Sequence, residues 1–162
     1  MTPDLPPVSA YIYRVTQPDY GHTRALEKAV YYAPLLQQAA GQHKIPVLLL
    51  ASLVHHESNF NPREISSAGA LGLGQVMPLW FRHYKIPLTH WRDPQTNLNL
   101  SCRVLMVYHT QVQKLYPQIP THALWHRTLV AYNMGLRSVT SRGIYRSRYS
   151  TRVLRVLTKS SP

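Results

Sequence analysis

The stretch Val47-Leu48-Leu49-Leu50-Ala51-Ser52-Leu53-Val54-His55-His56-Glu57-Ser58-Asn59-Phe60-Asn61-Pro62 decides the reading of this chain. Its first eight residues form an apolar run broken only by Ser52, and Pro46 stands where a first helical turn tolerates proline. This predicts a helix from Pro46 to about Ser58. Counting back from Glu57 by three, four and seven positions meets Val54, Leu53 and Leu50, so the carboxyl belongs to the apolar face. Apolar surroundings and the negative end of a helix dipole both oppose its ionisation and would raise its pKa. A carboxyl that stays protonated near neutral pH is suited to act as a general acid.

Few other groups could share that work. The chain has 162 residues, enough for one well-buried core and too few for two ordinary domains. Its six acids are Asp4, Asp19, Glu27, Glu57, Glu64 and Asp93, against 18 Lys plus Arg, a formal net charge of +12. Such a balance attracts polyanions, whether nucleic acid, anionic lipid or an acidic wall polymer. The C-terminal cations Arg137, Arg142, Arg146, Arg148, Arg152, Arg155 and Lys159 read as a solvated helix face, because no aromatic-rich or helix-turn-helix signature accompanies them. Cys102 is the only cysteine, which leaves no intrachain disulfide and points to a small core residue. No segment has the ~18 consecutive apolar residues of a membrane span. The start, Met1 to Pro7, lacks the basic region and apolar core of a secretory signal, so export would use another route or a leader already removed.

Residues 1–22 hold four prolines and little periodicity, and are expected to form an irregular N-terminal arm ahead of a folded domain at 23–162. In that domain helices are expected over 23–43 with a break or start at Pro34, 46–58, 78–84, 94–115 behind an Asp93 cap, 121–133 behind a Thr121 cap, and 145–159. Asn59 to Leu73 is a loop whose length suggests function, and Gly69, Gly72 and Gly74 would let it line a cleft. With no repeat and no strand pattern, the class is mainly α.

Three strings then come into register: Glu57-Ser58-Asn59-Phe60-Asn61-Pro62 with Ser66; Gly69-Ala70-Leu71-Gly72-Leu73-Gly74-Gln75-Val76-Met77-Pro78; and Ala131-Tyr132-Asn133-Met134-Gly135. In order and spacing they resemble the soluble lytic transglycosylase catalytic domain, of the goose-type lysozyme-like superfamily. The resemblance runs from about Tyr32 to Leu157 and includes Asp93-Pro94 with Asn97 at the start of the long helix. It implies a single lysozyme-like domain that cleaves the β-1,4 bond between N-acetylmuramic acid and N-acetylglucosamine in peptidoglycan without water, leaving a 1,6-anhydro sugar. It further implies that Glu57 is the catalytic acid and base and that Ser66 contacts the N-acetyl group. Gln75 and Met77 would line the glycan subsite, and Tyr132 would bond the catalytic carboxyl beside Asn133. The chain departs from the family pattern at Gly74, where Met is usual, and at Ser101, where Gly is frequent.

The residues accommodate that chemistry. Ordinary glycosidases use two carboxyl groups roughly 5 to 9.5 Å apart, and here Glu64 is the only serious partner for Glu57. An intramolecular route needs none, because the sugar's own 6-hydroxyl attacks at high effective molarity. No cofactor or metal is expected: the zincin order His-Glu-x-x-His fails at Phe60, and His122 with His126, spaced four apart, reads as a pair of exposed helix histidines. Two alternatives remain, a hydrolytic goose-type lysozyme (muramidase) using Glu64 or an unassigned acid, and a non-catalytic module gripping glycan or nucleic acid. The expected partner is the peptidoglycan glycan strand, with no specific nucleic acid. The expected place is the cell wall, periplasmic or otherwise extracytoplasmic. By analogy a domain of this size suits a secretion or conjugation apparatus or a phage particle.

Overall fold

Helix α2, Val47–Ser58, realises the apolar run. Leu49, Leu50, Ala51, Ser52, Leu53 and Val54 are all essentially inaccessible, so the helix is buried on every side through its middle. Each of its large aliphatic side chains contributes about 2 kcal/mol by leaving water. Preceding it, α1 spans Pro7–His43 and packs against α2. The computed structural model describes residues 3–158, and the chain falls into two compact units, the first ending at Cys102 and the second beginning at Arg103.

The irregular arm expected over residues 1–22 is corrected: residues 7–20 are helical. Pro7 occupies the first turn, where its missing N–H costs nothing. Val8, Tyr11, Ile12 and Thr16 then fall on one buried face at helical spacing, and this stripe outweighs the prolines. Tyr11 also bonds Ser52 of α2. Nor does the chain break at Pro34. The only non-helical residue inside α1 is Gly21 (φ 77°, ψ 173°), where two helical segments meet at a kink. Beyond it Ala25, Ala29, Tyr32, Ala33, Leu36, Ala39 and Ala40 carry an unbroken buried stripe past Pro34.

The rest of the first unit is a long loop, a short helix α3 at Pro78–His83, a 3-10 turn at Leu88–Arg92, and the first part of α4, Pro94–Leu115. Asp93 caps α4 by accepting the Thr96 N–H at 2.8 Å. The bonds from the Thr96 side chain and backbone hold its carboxyl below the usual carboxylate range. Among the described residues no strand forms, only isolated bridges pairing Ile65 with Leu71 and Leu71 with Val76. No helix among them is long and apolar enough to cross a membrane. Cys102 is fully buried, which pushes its thiol up to about 12.

In the second unit α5, Thr121–Met134, contacts α6, Leu136–Thr140, and α7, Arg148–Thr158. Thr121 is the first helical residue rather than the cap, which is Pro120. The core gathers Val112, Leu124, Val130, Ala131 and Val139, with Tyr108, Tyr116 and Ile144 packed against it. Arg127 lies over the rings of Tyr116 and Tyr145, 4.1 and 4.2 Å from their centroids, a cation held by π faces. Arg148, Arg152 and Arg155 of α7 are exposed while Val153, Leu154 and Val156 are buried; Lys159 lies outside the described residues.

The exposed histidine pair is also corrected. His122 is exposed, but His126 is 4% accessible and its Nδ1 lies 2.8 Å from Ser150 Oγ of α7. Ser150 is itself engaged with the start of α7, where its N–H donates to Ser147 Oγ and its Oγ accepts the Ser147 N–H. Burial, then the charges of His122 and Arg146, push His126 down to about 4. An unfolded imidazole titrates near ~6.5, so between these values the unfolded chain binds more protons. Stability from this group is therefore present above the unfolded value and lost as pH falls towards 4. Roughly 2 kcal/mol is at stake after solvent screening. The urea midpoint should fall over this window, and His126→Asn, which keeps a bond to Ser150 without a titrating ring, should flatten the fall. Equal slopes in the two proteins would place the pH dependence elsewhere.

Candidate active site

Glu57 is the penultimate residue of α2 and is half-buried, with Val54, Leu53 and Leu50, its neighbours on the same face, inaccessible. The helix ends abruptly behind it. Asn59 takes a left-handed conformation (φ 49°, ψ 42°) and returns its N–H to His55 O, and Phe60 follows at φ 57°. Two successive non-glycine residues at positive φ are uncommon, and such strain persists only where surrounding contacts enforce it. Phe60 is fully buried, its ring 5.5 Å from that of Tyr32.

The loop that follows is tied to itself and to both adjoining helices. Asn61 starts it with an Asx turn, accepting the Arg63 N–H at 3.0 Å, and donates to Glu64 Oε2 at 2.9 Å. Ser66 closes a second turn: its N–H donates to Ala70 O, and its hydroxyl accepts the Ala70 N–H at 3.0 Å. Glu64 O accepts the Gly72 N–H at 2.9 Å and Gln75 Nε2 at 3.2 Å, and Gly72 O accepts Gln75 Nε2 at 3.0 Å. Leu71 and Val76 exchange both backbone bonds. Ser58, next to Glu57, donates its hydroxyl to Leu73 O at 2.8 Å and fastens the loop to the end of α2.

Asn97 fastens it to α4. Fully buried, it accepts the Gly74 N–H at Oδ1 (2.9 Å) and donates from Nδ2 to Leu71 O (3.0 Å) and Trp91 O (3.1 Å). Ser101, where the family pattern often has glycine, donates its hydroxyl to Asn97 O at 2.7 Å. These roles of Ser58 and Asn97 were not drawn from the sequence, although both residues lie in or beside the diagnostic strings. A small polar residue at a position otherwise expected to be buried was the available signal.

Of the expected site residues, Glu57, Ser66, Gln75 and Met77 lie in the first unit. Met77 is exposed and caps the start of α3. Gln75, at φ 52°, turns its amide nitrogen into the loop rather than away from it. Tyr132 and Asn133 lie in the second unit, in the last turn of α5 ahead of Gly135 (φ 82°). Tyr132 is half-buried and Asn133 exposed.

Comparison with known proteins decides what this loop-and-helix arrangement belongs to. Residues 34–154 match the family described as the transglycosylase SLT domain. The chain belongs to that family. Among curated SLT relatives, it is 45% identical over 51 residues to the membrane-bound lytic murein transglycosylase C of Histophilus somni (strain 2336), covering 32% of this chain and 14% of the relative. The corresponding protein of Haemophilus influenzae (strain PittEE) is 45% identical over 47 residues, 29% of this chain and 13% of its own. This SLT chain thus aligns with about one seventh of those relatives' length. Its fold is that of the 70 kDa soluble lytic transglycosylase, solved in complex with bulgecin A: TM-score 0.59, 21% identity, 93% of this chain and 28% of that one. An inactive mutant of the lytic transglycosylase Slt from Pseudomonas aeruginosa gives a TM-score of 0.58 at 20% identity, over 93% of this chain and 26% of that one. The SLT match begins at residue 34, so most of α1 precedes it.

Proposed function

We propose that this SLT domain is a peptidoglycan lytic transglycosylase acting at the cell wall, outside the cytoplasm, with Glu57 as its single acid and base. The observation that carries this reading is the placement of Glu57, a half-buried carboxyl at the end of a buried apolar helix, beside a loop braced on both sides. The other nearby acids have structural work: Asp93 caps α4, Glu64 accepts from Asn61, and Asp19 accepts from Asn59.

The reaction balances without water. Glu57 gives its proton to the glycosidic oxygen as the bond from that oxygen to the anomeric carbon breaks, and the substrate's N-acetyl oxygen stabilises the resulting cation. The Glu57 carboxylate then takes the proton of the sugar's 6-hydroxyl, whose oxygen bonds the anomeric carbon. The proton count at Glu57 is restored and a 1,6-anhydro end remains.

Ser66, whose hydroxyl oxygen accepts from Ala70, still has its own proton to donate to the N-acetyl carbonyl. Gln75, its nitrogen committed to the loop, offers its carbonyl oxygen to sugar hydroxyls. Met77 supplies an apolar contact on the sugar face, and Tyr132 and Asn133, in the last turn of α5, offer a hydroxyl and an amide for hydrogen bonds to the glycan. The strongly basic chain suits a wall that carries acidic groups, and recruitment by a secretion, conjugation or phage assembly fits a small wall-opening domain.

Mass spectrometry of fragments released from purified peptidoglycan tests the reaction. Anhydro-ended muropeptides are expected. Fragments heavier by one water would instead assign a hydrolytic lysozyme, and salt-sensitive binding with no fragment released would assign a binding module.

A further inference from the structure

The first helical segment of α1 lies outside the family match, yet it reaches the residues that follow Glu57. Asp19 and Tyr20 stand just before the kink at Gly21 and Lys28 two turns beyond it, and the kink lets both segments meet one target. Asn59 Nδ2 donates to Asp19 Oδ2 at 2.7 Å, Tyr20 OH donates to Asn59 O at 3.2 Å, and Lys28 Nζ donates to Phe60 O at 2.7 Å. The ammonium of Lys28 also sits 4.2 Å from the centre of the Tyr20 ring. The remaining side-chain atom of the cap, Asn59 Oδ1, lies 3.2 Å from His55 Nδ1. His55 is two residues before Glu57 and Asn59 two after, so this contact spans the turn that carries the carboxyl.

Asn59 and Phe60 are the two strained residues at the exit of α2, and contacts from α1 are what hold them. We propose that Asp19, Tyr20 and Lys28 are positioning residues for Glu57, fixing the last turn of α2 and its left-handed exit in the geometry the reaction uses. This rests on the reading of Glu57 as the acid. Asp19 is exposed, and an exposed polar contact adds little to global stability. A small displacement of a reacting group, by contrast, costs rate steeply. Its loss should therefore appear in turnover rather than in the melting temperature.

The test uses full-length variants with soluble, uncrosslinked glycan strands as substrate. Asp19→Ala is expected to lower kcat about tenfold with KM within about twofold of wild type. Asp19→Asn, whose amide oxygen can accept the same bond from Asn59, is expected to recover most of that loss. Tyr20→Phe, which removes only the bond to Asn59 O, should lower kcat by about threefold. Wild-type kcat in Asp19→Ala and Tyr20→Phe overturns the proposal, whatever their melting temperatures, as does equal impairment in Asp19→Ala and Asp19→Asn. Glu57→Gln is assayed in parallel: if it is active the acid reading itself fails, whereas an inactive Glu57→Gln beside full-rate Asp19→Ala and Tyr20→Phe removes only the positioning role.

Discussion

Glu57→Gln is expected to abolish digestion of purified peptidoglycan, with turnover lower by about 10³-fold or more, while the protein melts within a few degrees of wild type. General acid or base assistance contributes about 10² to 10⁴ in rate, and the proposed route asks one carboxyl to serve as both. Glutamine keeps the shape and size of the side chain but cannot give up a proton to the leaving oxygen or take one from the 6-hydroxyl. The fold should tolerate it, since Val54, Leu53 and Leu50 pack the face on which the side chain lies and none of them changes. The comparison needs turnover from fragment release and stability from thermal melting on the same preparations. Retained digestion by a folded Glu57→Gln would overturn the assignment of the acid and the mechanism built on it.

What could be read from the sequence followed the strength of local signals. The buried run Leu49 to Val54, the Asp93 cap and the turn-rich loop between Asn59 and Leu73 each concentrate one kind of residue, and helix α2, the start of α4 and the loop lie where those signals put them. Residues 7–20 were misread because Pro7 and Pro18 are conspicuous while the stripe Val8, Tyr11, Ile12, Thr16 is short and mixed with polar residues. Tertiary packing against α2 decided the contest, and propensity alone could not foresee it. His126 failed for a related reason: its partner Ser150 is 24 residues away, and no local pattern announces such a pairing. The surroundings of the loop divide in the same way. The half-buried place of Glu57 at the end of α2 was legible from its face of the helix, and the hub at Asn97 was not, because its partners Leu71, Gly74 and Trp91 come from separate stretches of chain.

That hub makes Gly72→Ala the most damaging small substitution expected in the loop. Gly72 has φ 73°, in the region where any side chain is strained, and a Cβ there would meet the side-chain amide of Asn97 and approach Trp91 O to 2.8 Å. Neither neighbour can yield cheaply. Trp91 O is backbone and accepts from Asn97, while Asn97 is buried and bonded at both ends of its amide. Relief therefore requires breaking at least one buried hydrogen bond, which costs about 1 to 3 kcal/mol, in addition to about 1 kcal/mol or more for the backbone conformation. A total of roughly 3 kcal/mol corresponds to a melting temperature lower by about 10 °C for a chain of this size. Gly69 supplies the control, because it has φ 83° but nothing within 4 Å of its added Cβ. Gly69→Ala should therefore show the conformational cost alone. If Gly72→Ala melts no lower than Gly69→Ala, the Asn97 hub does not constrain the loop. If it melts well below, the difference between the two measures the steric part, and peptidoglycan turnover should fall with it as Ser66 and Gln75 lose their fixed turns.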